Sequence, residues 1–496
     1  MSAIIVSKLS FAYDGGNDFV FQNVDAHIDT AWKLGLIGRN GRGKTTFLRL
    51  LMGALPADGA VSASTAFGFF PQEAPAGLSA RQVLAVVAPE APSWRLEREL
   101  SLLAVAEEAL EQPFDTLSGG ERTKVLLAAL FTDDSRFPLI DEPTNHLDEH
   151  CRRLVSAYLK RKDGFILVSH DRRFLDGCVD HIMALNKTGI ELQSGTFSSW
   201  QRNFDARNRF EAEQNRRLEK DIDRLRRAAE RTARWSDRVE NTKYGVAASG
   251  LKPDKGFVGH KAAKMMKRSL AIDSRRQQAI GEKSRLLRDV ESVEDLKLAP
   301  LAFHSRRLVD FDAVSLFYGE KQVCRDITFT VEQGDRLALV GGNGSGKSTI
   351  LKRILGDAVA FTGRIVRPEQ LRVSHVPQET AHLTGRPDAY ARACGISETL
   401  FKTVLRKLDF SRALFDADMS GYSAGQKKKV LIARSLCEPA HLYLWDEPLN
   451  YIDVFSRMQI EDLLRSFKPT MIFVEHDAAF RAAVATKELA LPAEHA

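Results

Sequence analysis

Two strings in this 496-residue sequence have the residue types and spacing to cradle phosphate. Gly38-Arg-Asn40-Gly41-Arg-Gly43-Lys44-Thr45 and Gly341-Gly-Asn343-Gly344-Ser-Gly346-Lys347-Ser348 both fit G-x-x-x-x-G-K-[ST], followed by Thr46 and Thr349. Glycines let successive backbone N–H groups turn inward around a phosphate at a helix N-terminus. The lysine then reaches the outer phosphates, and the Thr45 or Ser348 hydroxyl can be offered to Mg²⁺. Two carboxylate pairs accompany them: Asp141-Glu142 after Phe137-Pro-Leu-Ile, and Asp446-Glu447 after Leu442-Tyr-Leu-Trp. Such pairs at the end of an apolar strand stand where function collects in a parallel α/β sheet. The first acid of each pair suits a hydrated Mg²⁺ and the second suits polarising an attacking water. His170 and His476 each follow another apolar run; a lone histidine is usually structural, but these lie beyond strands beside a phosphate loop.

These residues need strands to deliver them and helices to cap them. Residues 32–37 form a short apolar run before the first phosphate loop, and residues 47–51 read as the helix after it. The string Leu117-Ser118-Gly119-Gly120-Glu121 opens a further helix. The same signs recur at a near-constant offset: Lys44 to Lys347 is 303 residues, Ser118 to Ser423 and Asp141 to Asp446 are 305, and Gln72 to Gln378 and His170 to His476 are 306. The chain is therefore an internal repeat. The expected architecture is α/β: two tandem phosphate-loop domains, residues 1–200 and 303–496, joined by a long antiparallel helical hairpin over residues 201–302.

The hairpin is the unduplicated part. Leu218, Ile222, Leu225, Ala229 and Thr232 recur at alternating spacings of four and three, a coiled-coil seam. Glycines 245, 250, 256 and 259 with Pro253 break the helix at a tip near residues 241–260, and a second heptad track runs from Met265 to Val293. Residues 201–300 carry 25 Lys and Arg against 16 Asp and Glu, a net of +9, whereas the whole chain is +6. The basic excess thus belongs to the hairpin, as a nucleic-acid probe requires. At its tip Tyr244 and Phe257 could stack on unpaired bases, with Lys252 and Lys255 on neighbouring phosphates. Five scattered cysteines signal neither a disulfide framework nor a zinc site. No apolar run approaches a membrane span and no signal peptide is recognisable, so a cytoplasmic protein is expected.

In order, these motifs resemble an ATP-binding cassette, and Asp141-Glu-Pro-Thr-Asn-His-Leu-Asp148 is especially similar to the soluble ABC-F family. The resemblance covers essentially the whole chain. It implies that Tyr13 and Tyr318 stack on adenine, that Gln72 and Gln378 sense the γ-phosphate and its Mg²⁺, and that His170 and His476 contact that phosphate. It also implies that each ATP is clamped between the phosphate loop of one copy and the signature of the other. Lys44 would work with Ser423, Gly425 and Gln426, and Lys347 with Ser118, Gly119, Gly120 and Glu121. Mg²⁺ would be shared with ATP by Thr45, Gln72, Asp141, Ser348, Gln378 and Asp446. The second copy departs from the pattern at Ala424, Leu449, Tyr451, Ile452 and Glu475, which predicts unequal turnover.

Lys264-Met-Met-Lys-Arg-Ser269 and Trp445-Asp-Glu-Pro-Leu-Asn-Tyr-Ile-Asp-Val-Phe455 are similar to the Lsa-type antibiotic-resistance branch. That resemblance implies a monomer which binds the ribosome, contacting rRNA and tRNA. It implies that the hairpin displaces lincosamides, streptogramin A and pleuromutilins from the peptidyl-transferase centre. A housekeeping ABC-F translation factor shares every ATP residue and differs only at the tip. The tandem ATPase subunit of a membrane importer is a third reading, opposed by the hundred-residue hairpin; no transmembrane partner is expected. Shortening the loop between Ala247 and Phe257 is predicted to abolish drug protection in a sensitive strain while ribosome-free ATPase stays unchanged. A parallel fall in that basal ATPase would show that the loop serves folding instead.

Overall fold

The computed structural model describes residues 3–13, 19–144, 147–186, 189–241, 300–342 and 344–492. Tyr244, Lys252, Lys255 and Phe257, the second arm of the expected hairpin and Asn343 lie outside them. Two compact units emerge: Met1–Trp200 together with Asp295–Ala496, and Gln201–Glu294.

Each copy in the first unit builds the same pair of sheets. The first copy has a six-stranded sheet in the order Ala66–Phe70, Arg136–Asp141, Phe165–Val168, Lys33–Gly38, His181–Asn186, Gly189–Ser194. All pairings are parallel except the last. The second has Val373–Val376, Leu442–Asp446, Met471–Val474, Arg336–Val340 and Lys487–Ala490, parallel throughout. Phe165–Val168, Leu442–Asp446 and Met471–Val474 are buried along their whole length. Uninterrupted apolar runs are what a parallel sheet covered on both faces requires.

Parallel pairing has a direct consequence for the site. Asp141 and Leu36 both stand opposite Val168, as Asp446 and Leu339 stand opposite Val474. The carboxylates, the phosphate loop and the histidine that follows the middle strand therefore leave one edge of the sheet together. A three-stranded antiparallel sheet flanks each, ordered Phe21–Asp29, Ala3–Phe11, Asp58–Ala63 and Lys321–Glu332, Arg307–Tyr318, Ala360–Val366. Tyr13 lies two residues beyond the end of its middle strand, and Tyr318 ends the other. Between the glutamine and the signature come short helices, Ala80–Val87, Ser93–Leu102 and Glu107–Glu111 in the first copy and Pro387–Ala393 and Glu398–Lys407 in the second. The second copy's hydrogen bonding begins before residue 303, since Leu301 donates its N–H to Ala440.

The second unit contains most of one 45-residue helix, Phe197–Asn241. At 1.5 Å per residue it is about 68 Å long. Within it Leu218 is half-buried, Ile222 buried, and Glu213 accepts from Arg217 at 2.6 Å, one turn apart.

The two copies interlock inside the first unit. Arg172 of the first forms a forked, buried ion pair with Glu461 of the second, and Arg481 reaches back to Glu149 at 2.7 Å. Asn40 Nδ2 donates to the Tyr451 carbonyl at 2.7 Å, and the Trp200 ring meets Phe455 edge-on at 5.7 Å. Removing one member of a buried pair strands the other charge. Arg172→Met should therefore lower stability by about 3 to 5 kcal/mol, and Arg172→Met with Glu461→Met should recover most of it. Denaturant unfolding of the two variants decides; equal destabilisation by both would refute the pair's role.

Candidate active sites

Both phosphate loops end on a glycine that no other residue could replace. Gly43 has φ +83° and a Cβ there would lie 2.5 Å from Val20 Cγ1; Gly346 has φ +84° and its Cβ would lie 2.0 Å from Cys324 Sγ. These glycines precede the helices Lys44–Leu51 and Lys347–Leu355, neither of which has a side-chain cap. The first N–H groups of each helix are thereby left for an anion. The lysines curl over the loops: Lys44 Nζ donates to Gly38 O at 2.9 Å, and Lys347 Nζ to Gly341 O at 2.9 Å and Gly342 O at 2.6 Å. Burial lowers the pKa of both.

The carboxylate pairs share one backbone peculiarity. Glu142 has φ 51° and Glu447 φ 44°, left-handed values that cost a non-glycine residue about 1 to 3 kcal/mol. The Glu142 N–H to Val168 O bond at 2.9 Å and the Glu447 N–H to Val474 O bond at 3.0 Å hold them there. Just before them, Asp141 accepts from the Thr45 hydroxyl at 2.6 Å, and the Ser348 hydroxyl works against the burial of Asp446. Burial raises the pKa of both aspartates.

The two glutamates differ in their surroundings. His170 Nε2 lies 3.1 Å from Glu142 Oε1, in a geometry that makes no hydrogen bond, and both carboxylate oxygens of Glu142 are buried without a partner. Burial pushes that carboxyl up to about 7, against the pull of Lys44, and drives His170 well below its ordinary value. Glu447 Oε2 instead accepts from Gln378 Nε2 at 2.8 Å and Asn450 Nδ2 at 2.6 Å, with His476 at 3.6 Å. Burial raises this carboxyl too, but the nearby His476 imidazole and the hydrogen bonds from Asn450 and Gln378 together outweigh it and leave it below its ordinary value. In the first copy the Gln72 carbonyl oxygen is buried and unpartnered.

Residues of opposite copies line one cavity. An open cavity of about 370 Å³ is lined by Asn40, Gly41, Gly43, Lys44, Thr45, Thr46, Asp141, Glu142 and His170 of the first copy with Ser423, Ala424, Gly425 and Tyr451 of the second. A Cβ on Gly425 would lie 2.4 Å from the Tyr451 carbonyl and 2.8 Å from Asn40 Nδ2, so this contact needs glycine. The other half is arranged differently. Gly119 shares a 950 Å³ cavity with Gln378, Glu447 and His476, whereas Lys347 and Gly341 open on a separate 190 Å³ space with Asp148, Glu149 and His476. The structure therefore does not bring Lys347 and the first signature to one cavity.

Several expected binding residues are employed elsewhere. Ser118 and Glu121 form a reciprocal helix cap, as do Ser423 and Gln426, so the Glu121 and Gln426 side chains are occupied by backbone N–H groups of their own turns. Gly120 is buried in the first turn of the Gly119–Leu130 helix. Tyr13 is 52% exposed and shares a 2.7 Å hydroxyl hydrogen bond with Thr46; Tyr318 is likewise exposed. Thr349 is buried behind its loop.

Sequence reasoning missed two arginines. Arg152 bonds Asp171 at 2.9 Å and the Thr144 carbonyl, and Arg457 bonds Asp477 at 3.0 Å and the Leu449 carbonyl. They pin the chain just beyond each carboxylate pair to the segment after each histidine. Their 305-residue separation repeats the common offset and was the available signal.

The family described as ABC transporter matches residues 21–145 and 324–450, about half the chain and both phosphate loops. The chain belongs to this family, in its ABC-F group. It is an ATPase. Ribosome protection protein VmlR of Bacillus subtilis is 27% identical over 495 residues, covering 96% of this chain and 84% of the relative. ATP-binding protein Uup of Caulobacter vibrioides is 26% identical, covering 95% and 74%. Among solved structures, an archaeal ribosome recycling factor, aABCE1, in complex with the ribosomal stalk protein aP1 aligns with a TM-score of 0.65 at 19% identity, over 97% of this chain and 87% of that one. That likeness establishes the fold of the two tandem cassettes.

The contrast between the unpartnered Glu142 and the tied Glu447 predicts unequal single mutants of this ABC-F ATPase. Glu142→Gln should remove the larger share of steady-state ATP hydrolysis and Glu447→Gln the smaller. Equal losses in phosphate-release assays would refute the asymmetry.

Proposed function

We propose that this ATPase binds the ribosome and, through the segment between its cassettes, displaces lincosamide, streptogramin A or pleuromutilin antibiotics from the peptidyl-transferase centre. ATP binding would close the cassettes and hydrolysis would release the chain. The observation that carries the reading is the coupling at the cassette interface. The phosphate loop of one copy and the signature of the other line one cavity, and Trp200, in the first turn of the long helix, packs on Phe455 of the second copy. A rearrangement at that interface moves the helix's first turn. The +9 charge of residues 201–300 gives that segment affinity for rRNA and tRNA. The relative VmlR is named a ribosome protection protein. Among the described residues no helix is long and apolar enough to cross a membrane. A cytoplasmic monomer with intramolecular cassette pairing fits this reading.

Mg²⁺ suits the donors present. The orphaned Asp446 Oδ1 and Gln72 Oε1 are buried oxygens lacking a partner, and the Thr45 hydroxyl touches Asp141. Thr45, Asp141 and Gln72, and Ser348, Asp446 and Gln378, would hold the ion with ATP, where it would neutralise charge on the β- and γ-phosphates. Around it Lys44 and Lys347 exchange loop carbonyls for phosphate oxygens. Glu142 and Glu447 accept a proton from the attacking water, and His170 and His476 orient that water and the γ-phosphate.

Glu142→Gln combined with Glu447→Gln should keep ATP binding and lose hydrolysis, so that the closed form accumulates on 70S particles. Sucrose-gradient sedimentation with ATP tests this. A double mutant that sediments free of ribosomes would sink the ribosomal reading, and unaltered drug susceptibility of a sensitive strain expressing the parent chain would sink the antibiotic one.

A further inference from the structure

One buried lysine has no counterpart in the other copy. Lys428, in the Ala424–Cys437 helix that follows the second signature, is 1% exposed. Its Nζ donates to the Pro377 carbonyl at 2.8 Å and the Asp446 carbonyl at 3.3 Å. These are the peptide groups immediately before Gln378 and Glu447, at the ends of neighbouring parallel strands. Those are the two residues whose side chains are bonded, Gln378 Nε2 to Glu447 Oε2 at 2.8 Å. The residue at the same offset in the first copy is Thr123, whose hydroxyl turns back to Gly119 O of its own helix at 2.9 Å. There Thr123 does not tie the strand ends, and Gln72 Oε1 and both oxygens of Glu142 accept no hydrogen bond, with His170 Nε2 3.1 Å from Glu142 Oε1.

A second exchange accompanies the first. Where the first copy pairs the hydroxyls of Ser169 and Thr144 at 3.1 Å, the second has Glu475 and Leu449. Glu475 is buried and accepts from the backbone N–H groups of Leu449, His476 and Asp477, fixing the turn beyond Glu447 from the other side. Burial lowers the Lys428 ammonium to about 8, against the pull of Asp446, Glu475 and Glu447. A cation and an anion thus replace two neutral residues behind one site only. An ammonium can bridge two carbonyls on adjacent strands, whereas a threonine hydroxyl reaches only its own helix.

We infer that Lys428 is a positioning residue for the second ATP site: it straps together the strand ends bearing Gln378 and Glu447, holds the glutamate against the glutamine, and so restrains water activation there. With Oε2 held by Gln378 and Asn450, Glu447 offers the water a less basic carboxylate, and Gln378 must leave Glu447 to meet the nucleotide. A strap that favours their contact slows both. The first site, without the strap, carries no such restraint.

The experiment uses the full chain with one site silenced at a time and MgATP as ligand. In the Glu142→Gln background only the second site turns over. Lys428→Thr, which installs the first copy's residue, should there raise kcat by roughly threefold or more, the scale of one lost hydrogen bond, with KM for ATP little changed. Lys428→Arg, which can still bridge both carbonyls, should stay with its parent. In the Glu447→Gln background, Lys428→Thr should leave kcat unchanged, and Thr123→Lys should lower it by a similar factor. A kcat for Lys428→Thr at or below its parent, with an intact melting transition, overturns the inference, as does an equal change at both sites. If Lys428→Thr does not fold, the Thr123→Lys transfer decides: unchanged first-site kcat overturns the inference. The inference rests on Glu142 and Glu447 as the water-activating groups. Residual turnover in the double Glu→Gln chain would count against that assignment, separately from any result at Lys428.

Discussion

The register of the central parallel strands is the constraint on which the rest depends. Val168 stands opposite both Asp141 and Leu36, and Val474 opposite both Asp446 and Leu339. Three strands therefore end together, and the phosphate loop, the carboxylate pair and the histidine that succeed them must all turn at the same edge. A slip by one residue would send Asp141 or Asp446 to the other face. The full burial of Phe165–Val168 and Met471–Val474 holds the register, because any shift would turn apolar side chains away from the neighbours they pack against. The left-handed backbone at Glu142 and Glu447 is sustained by the same strands, whose last carbonyls accept the two glutamate N–H groups.

From that shared frame the two sites diverge through the groups that lie behind them. The backbone geometry at Gly43 and Gly346, and at Glu142 and Glu447, is nearly superimposable. The glutamate surroundings are not. One carboxylate is desolvated without a hydrogen bond and raised in pKa; the other accepts from two side-chain amides and is kept low. A duplicated fold can thus retain identical reacting residues and still separate their behaviour, since desolvation and hydrogen bonding alone shift a buried carboxyl in opposite directions.

The copies are joined by polar contacts of unequal kind. Arg172–Glu461 and Arg481–Glu149 do not repeat one another under the internal offset, which pairs Arg172 with Ala478 and Glu461 with Ser156. The interface has the two-fold plan of the duplication but not its chemistry. Buried ion pairs of this type discriminate among docked arrangements more than they add stability, because each charge left without its partner carries a large desolvation penalty. The composite cavity at Lys44, lined by Gly425 and Tyr451, has no equivalent that joins Lys347 to the first signature.

Much of the fold and chemistry was legible because it is local or periodic. Gly-x-x-x-x-Gly-Lys-Thr specifies a backbone turn by itself, apolar runs ending in Asp-Glu specify covered parallel strands, and a 305-residue offset specifies two equivalent domains. The long helix was legible from the first heptad track for the same reason, with its onset a turn earlier, at Phe197, because Phe197 and Trp200 are buried in the cassette unit. Tertiary structure alone decided the features that depended on long-range partners. It assigned Glu121 and Gln426 to helix caps, since the nearest unsatisfied N–H groups were those of their own turns. It gave Arg152 and Arg457 their carboxylates, and it set Lys428 beneath two strand ends whose proximity no stretch of sequence encodes. The sequence by itself determined which residues could handle ATP; the packing of one copy against the other, through burial and unequal hydrogen bonding, decided how differently two copies of the same machinery are held.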